Sequence, residues 1–453
     1  MTDADLIARY DGRVPRYTSY PTAPHFHPGI GAEAYAGWLA SLPLGAPISL
    51  YLHVPFCDRL CLYCGCNTTV VRQERPRRAY AAQLMREIAL VADAIGQRAQ
   101  VGAVHWGGGT PTMLPGDCLV AIMDLIRERF TVLPGAEVAI EIDPASMPED
   151  GLSALARMGV TRASLGVQDF NPVVQEAIGR EQSFEETEDC AKALRSLGIT
   201  SLNLDLIYGL PHQTVASVQE TARRALTLWA DRVAVFGYAH VPWMKKHQAL
   251  IPEASLPGAA ARFAQAKAVA RVLEREGGYV PVGLDHYARP GDSMADAAMA
   301  QTLHRSFQGY TTDAAPVLIG LGASAIGSLP QGYVQNAPGV PAYAAAIDQG
   351  HFAIAKGVAL TQDDRLRRAV IERVMCDLEV DLVAQAQAFD EDPQPLLTAA
   401  EGLAPFVADG LVDWDGRCIR VRPEGRPFVR NIAALFDSYL VRNDAVKRHA
   451  QAV

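Results

Sequence analysis

Short apolar runs alternate with longer amphipathic stretches over the first half of the chain. Between residues 46 and 240, six segments of β-type composition predict strands: Ile48–Val54, Ala103–Trp106, Glu137–Asp143, Arg162–Gln168, Ser201–Tyr208 and Arg232–Ala239. Helical periodicity predicts helices between them, including Ala79–Ile95, Leu119–Phe130 and Phe184–Leu197. A capping box at Ser183 marks the start of the third helix. Six successive βα units predict an α/β fold, and they favour a parallel barrel or partial barrel over an open two-sided sheet.

The pattern changes after residue 240, and a second unit is predicted near the C-terminus. Thr361 and the acidic residues after it predict the start of a helix. Asp415-Gly416, between the apolar runs Leu411–Trp414 and Cys418–Val421, predicts a hairpin with a type I′ turn. A final helix is predicted over Phe428–Leu440. Helices followed by a hairpin predict a mainly helical, winged-helix-like unit that packs on the barrel.

Composition and charge argue against a disordered, a nucleic-acid-binding or a membrane protein. The chain has 453 residues, of which 49% are apolar and 20% charged, so it can form large cores and is not disordered. Its 41 basic and 50 acidic residues give a formal charge of −9, which disfavours nucleic acid as the main partner. No run approaches about 18 apolar residues and no N-terminal export signal is visible, so we expect a cytoplasmic protein without a membrane partner.

Four of the eight cysteines lie within ten residues, and three of them have the spacing C-x3-C-x2-C: Cys57, Cys61 and Cys64. Three thiolates in one loop can hold three corners of a [4Fe–4S] cluster and leave one iron open, whereas ordinary clusters of this type use four cysteines. Cys66 lies too close to Cys64 to be an obvious fourth corner, and its role stays open.

Two alternatives compete with the iron–sulfur interpretation. Disulfides are rare in chains without an export signal. Zinc requires a second ligand pair, and the remaining four cysteines are single and scattered: Cys118, Cys190, Cys376 and Cys418. The cysteine spacing therefore favours the cluster.

Several predicted strands carry polar side chains on one face, although strands buried in a parallel sheet are usually apolar throughout. These residues are Tyr51, His53, Glu141, Asp143, Ser164, Gln168, Asn203 and Asp205. They recur toward the carboxyl ends of their strands, where barrel enzymes place their active sites, so they predict a ligand-lined cavity. The glycines of Trp106–Thr112 (WGGGTPT) would allow close ligand approach, with a purely structural loop as the alternative.

Together these motifs resemble a known family. The cysteine spacing, with Tyr63 before the third cysteine, is similar to that of radical S-adenosylmethionine (SAM) enzymes. Cys66, the run PRYTSYPT (Pro15–Thr22) and the runs HWGGGTPT, EIDP, LGVQDFN and LDLIYGLP resemble the oxygen-independent coproporphyrinogen III oxidases over nearly the whole chain, including a C-terminal LVRN segment. The resemblance implies a partial (β/α)6 TIM-like barrel of the radical SAM type over residues 46–358. It also implies an N-terminal segment (1–45) over the active site and a C-terminal helical domain (359–453).

The resemblance further implies the cofactors and the residues that bind them. Cys57, Cys61 and Cys64 would hold a [4Fe–4S] cluster, and the first of two SAM molecules would chelate its open iron. Eleven positions match SAM contacts of the family: Tyr51, Tyr63, Gly108, Gly109, Thr110, Glu141, Gln168, Arg180, Asp205, Ala239 and Ile326. Within this set, Tyr51, Gly108, Glu141 and Ile326 match contacts of the first molecule, and Glu141 would suit its ammonium group. No catalytic residue beyond the cofactors is expected.

The implied reaction is the oxidative decarboxylation of two propionates of coproporphyrinogen III to vinyl groups, giving protoporphyrinogen IX in haem biosynthesis. A 5′-deoxyadenosyl radical from SAM would remove a hydrogen from the propionate β-carbon, and a flavodoxin- or ferredoxin-like donor would supply electrons. The enzyme is expected to be a monomer. An acidic chain that binds a tetracarboxylate needs a local basic lining, for which the candidates are Arg16, Lys245, Lys246 and Arg289. The sequence departs from the family at Gly291-Asp292-Ser293, where a more acidic run is expected.

Two other functions are alternatives to this one. Haem-binding chaperones of the same superfamily usually lack Cys66 and the PRYTSYPT run, and both are present here. A non-catalytic zinc or redox module would contain stoichiometric zinc in place of iron and acid-labile sulfide. The enzyme is the favoured interpretation.

Overall fold

The computed structural model describes residues 2–43 and 45–440. The N-terminal residues form two helices, α1 (Asp3–Tyr10) and α2 (Ala32–Ala40). Strands and helices then alternate as β1 (Ile48–Val54), β2 (Phe56–Cys57), β3 (Thr69–Val70), α3 (Glu74–Ile95), β4 (Gln100–Gly108), α4 (Gly116–Arg129), β5 (Thr131–Ile142), α5 (Gly151–Met158), β6 (Arg162–Gln168), α6 (Pro172–Ala177), α7 (Phe184–Ser196), β7 (Ser201–Tyr208), α8 (Val215–Thr227) and β8 (Arg232–Gly237).

The chain continues with shorter elements on both edges of the barrel. These are α9 (Ala259–Arg271), β9 (Val280–Val282), β10 (His286–Ala288), α10 (Ser293–Met299), β11 (His304–Ser306), β12 (Gly309–Thr311), β13 (Leu318–Leu321), β14 (Ile326–Leu329), β15 (Gly332–Asn336), α11 (Val340–Asp348) and β16 (Ile354–Ala359). The last part contains α12 (Gln362–Asp377), β17 (Glu379–Asp381), α13 (Leu382–Ala388), α14 (Gln394–Ala400), α15 (Ala404–Ala408), β18 (Val412–Trp414), β19 (Cys418–Val421) and α16 (Val429–Ala433).

One twelve-stranded sheet organises the barrel, in the order β16-β15-β14-β13-β1-β4-β5-β6-β7-β8-β10-β9. The six strands from β1 to β8 in this order are parallel, and they are the six that the alternating sequence pattern predicts. A further strand, β13, pairs in parallel with β1, and antiparallel strands extend the sheet beyond β13 and beyond β8, with β16 and β9 at its ends. The predicted fold class is therefore confirmed.

The apolar faces of these strands form the main core. Leu50, Leu52, Trp106 and Ile140 have no solvent exposure and pack in one cluster with the inner faces of the surrounding helices. The capping box at Ser183 forms as predicted, since its hydroxyl accepts from the Glu186 N–H. The polar face of each strand is left for the inside of the barrel.

The N-terminal segment packs against the C-terminal helices. Leu6, Ile7 and Tyr10 of α1 belong to the same apolar cluster as the buried residues of α12 and α16. The Tyr10 ring stacks on Phe406 with centroids 4.5 Å apart. This packing brings the residues that follow α1 along the face between the C-terminal helices and the barrel.

Two predictions for the C-terminal region need correction. The connection between β18 and β19 is not a type I′ turn, because only Gly416 of the two central residues has a positive φ (89°). The Asp415 carboxylate instead accepts from the N–H groups of Arg417 and Cys418, which closes a longer loop.

The final helix is also shorter than predicted. α16 ends at Ala433 and a 3₁₀ turn follows over Ala434–Phe436. The Asp437 carboxylate accepts from the Tyr439 N–H and the Tyr17 hydroxyl, and such side-chain hydrogen bonds compete with a continued helix. Residues 441–443 of the LVRN segment lie outside the described residues. Among the helices described, none has the length and apolar character needed to cross a bilayer.

Candidate active site

A cavity of about 510 Å³ lies at the carboxyl ends of the parallel strands. Most of the residues singled out from the sequence line it: Arg16, Cys57, Cys61, Tyr63, Cys64, Gly108, Gly109, Thr110, Glu141, Gln168, Arg180, Asp205 and Ala239. Parallel strands end at the same edge of a sheet, which is why polar residues distant in sequence meet here. We call this space the site cavity.

The cysteine loop is fixed by a two-stranded ribbon and by the glycine-rich turn. β2 ends at Cys57 and pairs in parallel with β3, so the loop between them begins and ends side by side. The Gly109 N–H donates to the Val54 carbonyl at 2.8 Å, and the Thr110 N–H donates to the Phe56 carbonyl at 2.8 Å. A Cβ on Gly109 would lie 2.5 Å from the Phe56 oxygen, so the turn needs glycine at this position.

Hydrogen-bond donors surround the three sulfur atoms. The Thr110 hydroxyl lies 3.9 Å from Cys57 Sγ, and Arg180 Nη1 lies 3.7 Å from Cys61 Sγ. The Cys66 N–H donates to Cys64 Sγ at 3.4 Å. Such donors stabilise thiolates, which are the form that binds iron.

The cysteines differ in their electrostatic surroundings. Burial raises the pKa of Cys57 to about 12 and also raises the pKa of Cys61. The hydrogen bond from Cys66, together with the nearby charge of Lys245, lowers the pKa of Cys64 to about 6. Over the described residues, no group of three His, Cys, Asp or Glu side chains surrounds one point as a single metal ion requires. A [4Fe–4S] cluster binds each cysteine on a different iron, and a hydrogen-bond donor at each of the three sulfur atoms fits that arrangement.

Glu141 forms one wall of the site cavity. Its Oε2 accepts from the Gly108 N–H at 3.0 Å, and its Oε1 lies 3.5 Å from His105 Nε2. Burial alone would raise the pKa of Glu141, but the contact with His105 and the hydrogen bond from the Gly108 N–H lower it overall. The Tyr51 ring stacks on His105 and its hydroxyl contacts His53, so Tyr51 supports this wall from behind. Glu141 is therefore an ionised carboxylate that faces the cavity.

Arg180 forms the opposite wall with a buried ion pair. Its guanidinium contacts the Asp143 carboxylate at 3.1 Å, and both side chains are less than a tenth exposed. Its Nη2 also donates to the Gly166 carbonyl at 2.7 Å. Burial would lower the pKa of Arg180, but the negative charge of Asp143 contributes to a net raised pKa, so the group is a permanent cation.

Two further polar residues come from neighbouring strands. Gln168 has a positive φ of 67°, at an irregularity in the pairing of β6 with β7 that turns its side chain toward Arg180. The Asp205 carboxylate accepts from the Ser164 hydroxyl and the Asn203 amide, both at 2.9 Å. Burial, followed by the nearby charge of Glu141, raises the pKa of Asp205 to about 6.

Five predicted residues do not line the site cavity, and one of them is Tyr51, which lies behind the Glu141 wall. Ile326 is at the start of β14, and Lys246 is exposed. Lys245 donates to the Cys66 carbonyl at 2.8 Å and so supports the cysteine loop. Arg289 follows β10, which runs antiparallel to β8, so it lies at the amino ends of the barrel strands, where its guanidinium stacks over Trp229.

The structure also brings residues to the site that the sequence analysis did not select. Arg59 lies 3.4 Å from Asp143, and its place between the first two cysteines could have identified it. His247 contacts the Cys64 carbonyl and Gln248 donates to the Tyr63 carbonyl, both at 2.8 Å. Nothing in the local sequence of these two residues indicates that they support a loop more than 180 positions earlier.

Comparisons with known proteins identify relatives over nearly the whole chain. Residues 51–225 match the model of the radical SAM superfamily, and residues 360–428 match the HemN C-terminal domain. The chain is 52% identical over 451 residues to a Bradyrhizobium diazoefficiens protein named oxygen-independent coproporphyrinogen III oxidase, covering 99% of this chain and 100% of that protein. An Escherichia coli (strain K12) protein of the same name is 39% identical over 452 residues, covering 100% of this chain and 98% of that protein.

A solved structure gives the corresponding likeness in three dimensions. The Escherichia coli coproporphyrinogen III oxidase (HemN), described as a radical SAM enzyme, superposes with a TM-score of 0.90 at 38% identity. The match covers 97% of this chain and 99% of that chain.

Proposed function

This chain belongs to the family of oxygen-independent coproporphyrinogen III oxidases within the radical SAM superfamily, and from that premise we propose that it converts coproporphyrinogen III to protoporphyrinogen IX. The reaction removes two propionate carboxyl groups as CO2 and leaves two vinyl groups. The observation that carries the proposal is one cavity that joins the three-cysteine loop to an anionic wall at Glu141 and a cationic wall at Arg180.

We propose that Cys57, Cys61 and Cys64 hold a [4Fe–4S] cluster with one open iron, and that two SAM molecules bind beside it. When bound there, the cluster and SAM would supply the radical chemistry that removes a hydrogen atom from the propionate β-carbon. The residues support this assignment because donors surround the sulfur atoms and the glycine turn packs closely enough on Cys57 to position it.

The polar walls suit the charged groups of SAM. The Glu141 carboxylate would accept from the ammonium group of the first molecule, and the Arg180 guanidinium would contact a carboxylate of the second. Asp205 would accept from ribose hydroxyls. Tyr63, Gly108, Gly109, Thr110, Gln168 and Ala239 would complete the contacts.

Other parts of the proposal come from the sequence alone. Electron supply by a flavodoxin- or ferredoxin-like donor, a cytoplasmic location and a monomeric enzyme stay predictions. Among the proposed substrate contacts, Arg16 is retained because it lines the site cavity, where it donates to the Gly237 carbonyl at 2.9 Å. Arg289 is not retained, because it lies at the opposite end of the strands.

The test is anaerobic incubation of the reconstituted enzyme with SAM, a low-potential reductant, an electron acceptor and coproporphyrinogen III. We expect methionine, 5′-deoxyadenosine and the divinyl product. SAM cleavage without decarboxylation under any electron acceptor would reject the substrate assignment.

A second measurement isolates the cluster. Cys61→Ala should abolish the absorption near ~400 nm expected of a cysteine-held cluster, whereas Cys418→Ala, in the distant hairpin, should leave it intact. An unchanged spectrum in Cys61→Ala would overturn the cluster assignment.

A further inference from the structure

A second cavity of about 530 Å³ adjoins the site cavity, between the barrel and the C-terminal helices. The two cavities share the lining residues Arg16, Gly237, Tyr238 and Ala239. The second cavity therefore opens toward the site cavity along the end of β8. Its volume falls in the range of about 300–1,000 Å³ that ligand pockets occupy. We call this second cavity the basic chamber.

Five arginines from separate parts of the chain line the basic chamber. They are Arg16 from the N-terminal segment, Arg262 from α9, Arg305 from β11, and Arg426 and Arg430 from the C-terminal region. Because these segments are distant in sequence, their convergence is a property of the fold.

The acidic residues of the chamber do not balance this charge. Asp3 pairs with Lys267 at 2.8 Å, and Asp409 pairs with Arg9 at 2.7 Å. Glu274 and Glu424 are exposed at the rim. The remaining carboxylate, Asp285, contacts His286. Among the described residues that line the chamber, one carboxylate, Asp285, is therefore left to balance the arginine charge.

The partners of two of these arginines are neutral. Arg262 Nη2 donates to the Tyr238 carbonyl at 2.8 Å, while its Nε is buried without a partner. Arg305 donates through Nε and Nη2 to the Arg16 carbonyl, and its Nη1 is buried without a partner. Neither side chain forms an ion pair with any residue in the described ranges. Backbone carbonyls thus fix the positions of both guanidinium groups, and each guanidinium retains an N–H that has no hydrogen-bond acceptor.

Two of the arginines, Arg16 and Arg430, are also repelled by neighbouring guanidinium groups. Burial, together with the charges of Arg16 and Arg305, lowers the pKa of Arg430 to about 9. Burial lowers the pKa of Arg16 as well, with a further contribution from the charge of Arg305. A bound anion would relieve both the repulsion and the unpaired donors, which is the condition expected of a carboxylate site.

We infer that the basic chamber binds carboxylates of the tetrapyrrole substrate, with Arg262 and Arg305 donating to propionates that do not react. The reacting propionate then extends past Gly237 and Ala239 into the site cavity. This inference rests on the proposed function, and it explains how an acidic protein binds a tetracarboxylate. Arg16, which lines both cavities, would then lie beside the reacting propionate where the two cavities meet.

The test measures binding of coproporphyrin III, the stable oxidised form of the substrate, to the reconstituted enzyme by fluorescence titration. Arg262→Gln and Arg305→Gln should each raise its Kd about 10- to 100-fold, the loss expected for a charge-assisted hydrogen bond. Arg262→Lys and Arg305→Lys, which keep the charge, should lose less. Arg271→Gln is the matched control, because Arg271 is an exposed residue of the same helix as Arg262 and lies outside the chamber.

Cluster absorption and SAM binding are measured on every variant to show that the site cavity is intact. Mesoporphyrin IX, which has two carboxylates, should bind the unaltered enzyme more weakly than coproporphyrin III. Glutamine variants that bind coproporphyrin III as tightly as the unaltered enzyme would overturn the inference and leave the proposed function standing. An unaltered enzyme that cleaves SAM but neither binds nor converts the tetrapyrrole would overturn both.

Discussion

Replacing Gly109 with alanine would place a Cβ 2.5 Å from the Phe56 carbonyl oxygen and 3.0 Å from Cys57 Sγ. Ordinary van der Waals contact begins at 3.4 Å, so the turn and the cysteine loop must separate by 3.4 − 2.5 = 0.9 Å. Hydrogen bonds of 2.8 Å, from Gly109 to Val54 and from Thr110 to Phe56, oppose this movement. Overpacking costs about 1–3 kcal/mol and loss of one hydrogen bond adds about 1 kcal/mol.

The substitution therefore costs roughly 2–4 kcal/mol. Because Cys57 must be displaced to relieve the clash, we expect the cluster to bind roughly 30- to 1,000-fold more weakly. The assay is anaerobic reconstitution followed by titration with an iron chelator, with iron and sulfide counted at each step. Gly65→Ala is the matched control, since Gly65 lies in the same loop and its Cβ would meet nothing within 4 Å. If Gly109→Ala retains iron as well as Gly65→Ala does, the turn does not position the cysteine loop and this reasoning is refuted.

Three further substitutions test the walls of the site cavity. Glu141→Gln should weaken SAM binding about 10- to 100-fold, measured by equilibrium dialysis of the reconstituted enzyme, and an unchanged Kd would contradict the ammonium contact. Asp205→Asn should raise the thermal stability of the cofactor-free protein at pH 7.5. The pKa of Asp205 rises from 3.8 to about 6 on folding, so the native protein loses stability as the pH increases from 3.8 to about 6. Asparagine carries no charge and avoids this loss. The gain should shrink toward pH 4, and a gain independent of pH would contradict this cause. Arg180→Gln should lower the free energy of unfolding by about 3–5 kcal/mol in urea titrations, because the buried Asp143 carboxylate then has only the more distant Arg59 as a cationic partner. A loss under about 1 kcal/mol would contradict the importance of the Arg180–Asp143 ion pair.

The barrel and its polar interior were predictable because each depends on local sequence. β1, β6 and β7 have the predicted bounds, since each apolar face alternates with a polar one over seven or eight residues. Glu141 and Asp205 could be placed at one edge of the sheet because parallel strands all end there. The cysteine loop was evident from spacing alone.

The basic chamber could not be predicted, because its arginines meet only through tertiary packing. Arg262 and Arg305 are separated by more than forty residues, and each has an ordinary local sequence. Arg289 was a reasonable candidate by charge, but the antiparallel direction of β10 carries it to the other end of the barrel. The type I′ turn was wrong because the Asp415 side chain accepts from two backbone N–H groups, a competition that residue preferences do not resolve.

Removal of a hydrogen atom from the β-carbon of a substrate propionate is the step on which the proposed function depends. It is tested most directly with coproporphyrinogen III that carries deuterium at the propionate β-carbons, incubated anaerobically with the reconstituted enzyme, unlabelled SAM, a reductant and an electron acceptor. We expect the recovered 5′-deoxyadenosine to contain one deuterium and the divinyl product to accumulate with it. Unlabelled 5′-deoxyadenosine formed alongside divinyl product would contradict this step.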